Sequence, residues 1–206
     1  MKLKTTFDYE KILWGKGFSY VAGLDEVGRG AFAGPVVVAA VIFSKNIIFH
    51  DNDLYKVTDS KLLTPQKRKL LAEKIKNIAL CYAVAEVSVG VINEVGIGKA
   101  TQQGFQKATR MLSTHPDFLL IDAFYVEGVD RKIQMPIIHG DVLSYSIAAA
   151  SILAKVYRDE YMESLDDGKY LFAKHKGYGT LYHRQKIKEH GLSSHHRTSF
   201  SLEKYL

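Results

Sequence analysis

The sequence predicts an α/β layer fold built on a mixed β-sheet, with strands leading the chain and helices alternating with strands after them. Two observations carry this. Val21–Leu24 and Val36–Phe43 are β-branched, apolar runs set close together and bounded by glycines and Pro35. From residue 64 onward, stretches with helical spacing alternate with short apolar runs.

The elements follow in order. Val21–Leu24 is a strand that stops at the acids Asp25 and Glu26, and Val36–Phe43 is its neighbour. The segment 64–78, TPQKRKLLAEKIKNI, is a helix: Thr64 caps it, Pro65 takes the first helical position, and Leu70, Leu71, Ile75 and Ile78 share a face. CYAVAEVSV (81–89) is a third strand, and residues 90–112 are a long helix weakened by Gly90, Gly96, Gly98 and Gly104. FLLIDAF (118–124) and QMPIIHGD (134–141) are strands that each lead to an acid, Asp122 and Asp141. The segment 144–165 is a helix whose alanines permit close packing on a sheet, and short helices fill the tail.

With 206 residues, 47% apolar and 24% charged, the chain has the composition of one globular domain able to bury a core. No apolar run is long enough to span a membrane, and the first residues, MKLKTTFDYEKILW, lack a secretory core. The single cysteine, Cys81, excludes an internal disulfide and reads as a core residue. A cytoplasmic protein is expected. The net charge of +6 resides in residues 168–206, where Lys169, Lys174, Lys176, Arg184, Lys186, Lys188, Arg197 and Lys204 face only Glu189 and Glu203. Aromatic residues and histidines are interleaved with them. This pattern suits a polyanion whose sugars or bases can be stacked upon, or else a solvated face with its aromatics turned inward. His195 and His196 are expected on that basic surface.

GRGAFA (28–33) satisfies the dinucleotide-binding spacing G-x-G-x-x-G/A, with Asp51 further on. That fingerprint needs a helix to begin within the loop, whereas Gly34-Pro35 and a strand follow here. The dinucleotide reading therefore fails. Gly28 and Gly30 can still bring backbone N–H groups close to a phosphate, with Arg29 adding a charged fork, or they can simply supply a tight turn.

The acids carry more. Asp25, Glu26, Asp122 and Asp141 fall at the ends of buried strands, where side chains from neighbouring strands can converge. Carboxylates gathered in one place repel unless a cation joins them, and hard oxygen donors suit Mg²⁺ or Mn²⁺. Such sites hydrolyse phosphodiesters, often with two ions. Each acid also has a plainer use: Asp141 could cap the helix near Ser144, Asp122 could close a turn, and Asp25 and Glu26 could be a solvated strand end. Because neighbouring strand residues point to opposite faces, Glu26 is expected to act from the side or through its carbonyl.

The motifs AGLDEVGRGAFAGPVVVAAV, TDSKLLTPQKR, LLIDAF, HGDVLSYSIAAASILAKVYRD, HKGYGTLYH and HHRTSF, in this order, resemble the ribonuclease HII family over nearly the whole chain. The resemblance implies an RNase H-like fold with a small helical C-terminal subdomain. It implies a catalytic core over 1–167 with a basic helical segment, 168–206, packed on it for substrate binding, as a single domain. It also implies an endonuclease that cuts the RNA strand of RNA–DNA hybrids and duplex DNA at embedded ribonucleotides, leaving 3′-hydroxyl and 5′-phosphate ends. By motif, Asp25, Glu26, Asp122 and Asp141 become the catalytic and metal-binding set for Mg²⁺ or Mn²⁺, two ions with substrate bound. Gly28, Arg29 and Gly30 become the grip on the ribonucleotide junction, Tyr178 the reader of the junction sugar, and Lys61 a phosphate contact. Asn93, Gly96 and Gly104 depart from the family pattern in the long helix. SFSLEKYL does not fit a glutamine-led, double-aromatic clamp-binding peptide, and a monomer is expected.

Overall fold

The computed structural model describes residues 5–47 and 64–205. Lys61 and Asp51 lie outside them. Five strands form one sheet in the order β3-β2-β1-β4-β5, with β1 Val21–Val27, β2 Val36–Ile42, β3 Cys81–Val87, β4 Phe118–Asp122 and β5 Gln134–Ile137. The β1–β2 and β2–β3 pairs are antiparallel, and the β1–β4 and β4–β5 pairs are parallel. The mixed sheet matches the expectation. A short loop joins β1 to its antiparallel neighbour β2, the helix Val89–Met111 lies between β3 and β4, and a 3₁₀ turn at Arg131–Ile133 precedes β5.

The strand β2, between β3 and β1, is buried along its whole length, and its residues divide by parity. Val37, Ala39 and Val41 face one core with Leu71, Ala72 and Ile75 of α2 (Pro65–Ile78) and with alanines of α5 (Tyr145–Ser164). Val38, Ala40 and Ile42 face a second core with Phe105 and Ala108 of α3 (Val89–Met111) and with Cys81, Ala83 and Ala85 of β3. Helices therefore cover both faces, and α1 (Asp8–Gly15) packs Leu13 into a cluster with Val21 of β1, Phe118 and Leu120 of β4 and Ile137 of β5. Thr64 caps α2 by accepting the Lys67 N–H, with Pro65 first in the helix. At Gly96 the backbone turns to φ 80° and kinks α3, where glycine alone is comfortable.

The placement of α5 sets up everything that follows. A Cβ at Gly23 would stand 2.2 Å from the Ser146 carbonyl carbon, so strand and helix backbones touch there. Ser144, not Asp141, caps α5 by accepting the Ile147 N–H; Asp141 lies in the separate short helix α4 (Gly140–Leu143). Beyond α5 the tail holds α6 (Phe172–His175), α7 (Leu181–His190) and a closing 3₁₀ turn at Glu203–Tyr205.

Candidate active site

β1 carries Asp25 and Glu26 near its end, and the parallel strand β4 carries Asp122 at the same end. Leu24 and Ile121 are ladder partners, so Asp25 and Asp122 stand one position beyond them on adjacent strands. After Leu24, β1 parts from β4 and stays paired with β2 alone. There both Asp25 and Glu26 line one cleft, while β1 keeps its ladder with β2 through Val27.

The chain leaves the sheet abruptly after Asp122. Ala123 is left-handed (φ 59°), held by its N–H donating to the Ile137 carbonyl (3.0 Å) and by the Phe124 N–H donating to the Asp122 carbonyl (2.8 Å). His139 is left-handed too (φ 58°) and opens α4, which carries Asp141. A non-glycine residue held there costs ~1–3 kcal/mol, and such strain collects where position matters more than stability. Asp122 Oδ1 accepts the Gly140 N–H at 2.8 Å, which locks β4 to α4. A Cβ at Gly140 would fall 2.6 Å from Ile147 Cδ1, so a larger residue here would have to displace the end of that α5 side chain.

Asp25, Glu26, Val27, Asp122, Ser151, Lys155 and Tyr178 line a cleft of about 380 Å³. Asp25 and Asp141 are both buried. Asp141 is not among the lining residues, but its charge acts on Asp25. Burial above all, then Glu26, with further pressure from Asp122 and Asp141, holds the Asp25 carboxyl well above the usual aspartate range; a hydrogen bond with Ser151 opposes them. Asp25 Oδ1 also accepts the Glu26 N–H at 2.7 Å. This is the electrostatic signature of a donor set that a cation would complete. Among the described residues no three such side chains stand close enough to hold an ion by themselves. An open site of this kind suits Mg²⁺ or Mn²⁺, which keep positions for water and substrate phosphate oxygens. The residues present fit the ion.

Ser151 and Lys155 were not foreseen from the sequence. They sit four residues apart on α5, facing the strand ends where the alanine-rich packing stops. Lys155 Nζ bonds Asp159 Oδ1 at 2.6 Å, and Arg68 Nη1 approaches the other oxygen at 3.4 Å. Burial pulls the Lys155 ammonium below the usual lysine range despite Asp159. The interruption of an alanine face by Ser and Lys at helical spacing was the available signal.

The loop between β1 and β2 borders the cleft. Gly28 has φ 88°, and a Cβ there would lie 2.0 Å from Arg158 Nε, so its glycine serves the chain's own packing. Gly30 is different: nothing lies within 4 Å of its absent Cβ. Arg29 Nη1 stands 4.0 Å from Glu26 Oε1, and its guanidinium lies over the Phe124 ring at 4.4 Å.

Tyr178 reaches the same cleft from the tail, half-buried, with Arg158 5.3 Å from its ring centroid. Although Gly177 and Gly179 flank it, its segment is not an open loop. A Cβ at Gly177 would meet the Ala33 carbonyl at 2.3 Å, and one at Gly179 the Phe32 ring at 2.2 Å. The glycines let the segment pack flat on the β1–β2 loop, where Phe32 N–H and Ala33 N–H both donate to the Gly177 carbonyl (2.8 and 3.2 Å). The expectation for His196 is likewise corrected: it is 1% exposed, because it packs on Tyr170 and Phe172 inside the tail.

A sequence model of the family described as Ribonuclease HII matches residues 22–203. Ribonuclease HII of Halalkalibacterium halodurans is 47% identical over 197 residues, covering 93% of this chain and 71% of that one. Among solved structures, ribonuclease H2 of Pyrococcus horikoshii OT3 superposes with a TM-score of 0.74 at 26% identity, covering 90% of this chain and 95% of that chain. Bst-RNase HIII in complex with Mn²⁺ gives a TM-score of 0.65 at 21% identity, with 91% and 68% covered, a likeness of fold. With its acids at the strand rims of an RNase H-like sheet and its length matched nearly end to end, the chain belongs to the ribonuclease HII family.

Proposed function

We propose that this chain is an endonuclease that cuts the RNA strand of RNA–DNA hybrids, and duplex DNA at an embedded ribonucleotide, with Asp25, Glu26, Asp122 and Asp141 as its metal-binding catalytic set. The observation that carries the reading is the shared cleft: the acids of β1 and β4 and the ring of Tyr178 line one space. Chemistry and sugar recognition are thereby within one nucleotide's reach of each other.

Mg²⁺ or Mn²⁺ held by these carboxylates, two ions once substrate adds its oxygens, would supply Lewis-acid polarisation of the scissile phosphate and a nucleophilic water at neutral pH. The chain's own residues do the rest. Asp122, fixed through Gly140, and Asp25, fixed by Ser151 and the Glu26 N–H, present oxygens that need no rearrangement. Water adds to phosphorus, the bond to the 3′-oxygen breaks, and a proton ends on that oxygen; the products are a 3′-hydroxyl and a 5′-phosphate. Lys155 at the cleft wall offers positive charge to a phosphate oxygen. Gly30, with open space where a side chain would be, lets a nucleic-acid backbone come close to the β1–β2 loop, and Arg29 supplies a fork beside it. Tyr178 stacks on the sugar past the junction.

The test is a labelled DNA duplex with one ribonucleotide, a continuous hybrid and an all-DNA duplex, each with Mg²⁺, Mn²⁺ or chelator. Metal-dependent cleavage on the 5′ side of the ribonucleotide-to-deoxyribonucleotide step is expected, with all-DNA left intact. Retention of the hybrid without turnover would make the chain a binding module, and cleavage of the all-DNA duplex would make it a different nuclease.

A further inference from the structure

Within the tail three imidazoles, His175, His183 and His196, lie buried together. His175 and His183 are stacked, with ring centroids 4.1 Å apart and planes 18° from parallel. Their partners determine where each proton sits. The Gly177 N–H reaches His175 Nδ1 (3.2 Å) and the Ser193 N–H reaches His196 Nδ1 (2.9 Å). A backbone N–H only donates, so both Nδ1 atoms accept. His175 Nε2 stands 2.8 Å from the Tyr170 carbonyl and His183 Nδ1 stands 3.0 Å from the Tyr178 carbonyl. A carbonyl only accepts, so both nitrogens carry protons. His196 is then protonated at Nε2 and His183 bare at Nε2, which is what their 3.1 Å contact requires. Every contact is satisfied by one set of neutral tautomers, assigned from the partners.

We infer that His183 is a positioning residue for Tyr178, with its tautomer set by His196 and its ring backed by His175. The Tyr178 carbonyl accepts from both His183 Nδ1 and the Thr180 N–H (2.8 Å), while His175 takes the N–H of the preceding Gly177. The peptide that follows Tyr178 and the one that precedes Gly177 are thus held by two imidazoles in opposite tautomers. The relay runs from Ser193 through His196 and His183 to the residue that reads the sugar. Proton uptake breaks it: a proton on His183 Nε2 would face the His196 Nε2–H, and one on His175 Nδ1 would face the Gly177 N–H. The surroundings resist uptake. The charges acting on His183 are His175 and His196, those on His196 are His195 and His175, and Asp166 and Lys176 oppose one another at His175.

The inference rests on the sugar-reading role proposed for Tyr178, so its test has one arm that needs no substrate. Nitrogen-resolved imidazole NMR of the full chain at neutral pH is expected to show His183 protonated at Nδ1 and His175 and His196 at Nε2; the reverse set, or averaging between tautomers, overturns the relay. In His183→Phe, a ring without donor or acceptor, the Tyr178 ring resonances are expected to move. In His183→Asn, whose amide can replace the Nδ1–H, they return toward wild type; unmoved resonances in both variants overturn the positioning role. On the single-ribonucleotide duplex, His183→Phe is expected to lose roughly the same 10–100-fold in kcat/KM as Tyr178→Ala, with no further loss in the double variant. Additive losses would mean that His183 acts by another route. A harmless Tyr178→Ala would reject the sugar-reading role while the spectra still decide the relay.

Discussion

The acid rim and the basic tail solve opposite problems. At the rim, like charges are pressed together by regular elements: two parallel strands end side by side, and α5 crosses them at backbone contact. Among the described residues nothing fully neutralises Asp25, and burial first, then Glu26, drives its carboxyl upward. Around the β1–β2 loop, two buried cations, Arg158 of α5 and Arg197 of the tail, are held by carbonyls, with Arg197 Nη2 left without a hydrogen-bond partner among the described residues. Arg158 donates to the carbonyls of Ala33 (3.0 Å), Pro35 (2.9 Å) and Lys176 (2.8 Å), and Arg197 to those of Gly34 (2.9 Å) and Arg29 (2.9 Å). Burial, with Arg158 adding to it, pushes the Arg197 guanidinium down to about 9. The rim stores repulsion for a ligand to relieve; the tail spends its polar groups on holding the β1–β2 loop and the Tyr178 segment in register. Mutations should therefore harm activity at the rim without harming the fold, and harm the fold in the tail as readily as activity.

The sharpest way to break this contrast is at the rim. Asp25→Asn or Asp122→Asn is expected to lower turnover at least ~10³-fold, since the carboxylate removed would hold the ions that stabilise negative charge developing on the phosphate. Melting temperature should hold or rise, because one member of a repelling set is gone. Asparagine keeps the oxygen that accepts the Gly140 N–H, so the α4 turn survives in the second variant. Near-normal turnover in a variant folded by circular dichroism would remove that residue from the catalytic set.

Acid reverses the roles of the two regions. Burial, with neighbouring imidazoles, pushes His183 and His196 each down to about 4. In the unfolded chain they titrate near 6.5, so between pH 6.5 and 4 the unfolded state binds protons that the folded state refuses. Stability is complete above pH 6.5 and is lost as the pH falls toward 4, by roughly 3 kcal/mol or more for the pair. Asp25 and Glu10, both raised chiefly by burial, work the other way, gaining protons in the folded state first. Urea midpoints at pH 7, 5.5 and 4.5 should fall, with a shallower fall in His183→Asn than in wild type. A midpoint that rises on acidification would mean the carboxyls outweigh the histidines.

What could be read from the sequence divides along the same line. The strands, the Thr64–Pro65 helix start and the acids at strand ends were legible because they rest on local signals: β-branched runs, a cap, an alternation. The left-handed Ala123 and His139 were not, since their φ is enforced by partners on β5, β4 and α5. Ser144 rather than Asp141 caps α5 because the chain makes a separate turn first, which spacing alone did not separate. The burial of Arg158, Arg197 and His196 left no periodic trace. Arg197 and its acceptor Arg29 are 168 positions apart, and a charged residue whose partners are distant carbonyls looks in sequence like any surface cation.

Tyr178 joins the two regions, and its loss should be intermediate. Tyr178→Ala is expected to cost roughly 10–100-fold in kcat/KM on a single-ribonucleotide duplex, in line with the ~1–3 kcal/mol of a stacking contact. Tyr178→Phe keeps the stacking and should fall between. Divalent-ion titration midpoints should not move, because the ring lines the cleft without belonging to the donor set. Equal, small losses on single-ribonucleotide and continuous-hybrid substrates would make the ring structural filling.

The smallest effect tests whether the tail's surface cations, as distinct from its buried ones, hold the nucleic-acid backbone. Lys186 and Lys188 look equivalent in sequence, but their surroundings differ. Lys186 Nζ is 2.6 Å from Glu189 Oε2, one turn along α7, so a phosphate approaching it meets a carboxylate as well. Lys188 lines a cavity of about 210 Å³ with Arg184, Gln185, Lys204 and Tyr205, and no acid is among those five. Arg184 is fixed beside the Tyr178 segment by donating to the Gly179 carbonyl at 2.9 Å, and Tyr205 stacks on Phe32 of the β1–β2 loop with ring centroids 5.4 Å apart. Two of the residues lining that cavity therefore touch the Tyr178 segment and the β1–β2 loop. Each phosphate contact contributes ~0.7–0.9 to the slope of log affinity against log salt. Lys188→Ala should lower the slope for a hybrid by about that amount and weaken binding a few-fold at physiological salt, with Lys204→Ala adding a similar step. Lys186→Ala should leave the slope nearly unchanged, because the charge it removes is already matched by Glu189. Slopes from filter binding or anisotropy across ~50–300 mM salt decide it. A flat response in Lys188→Ala would return that face to solvent, and a full step in Lys186→Ala would mean that Glu189 releases its partner to the phosphate.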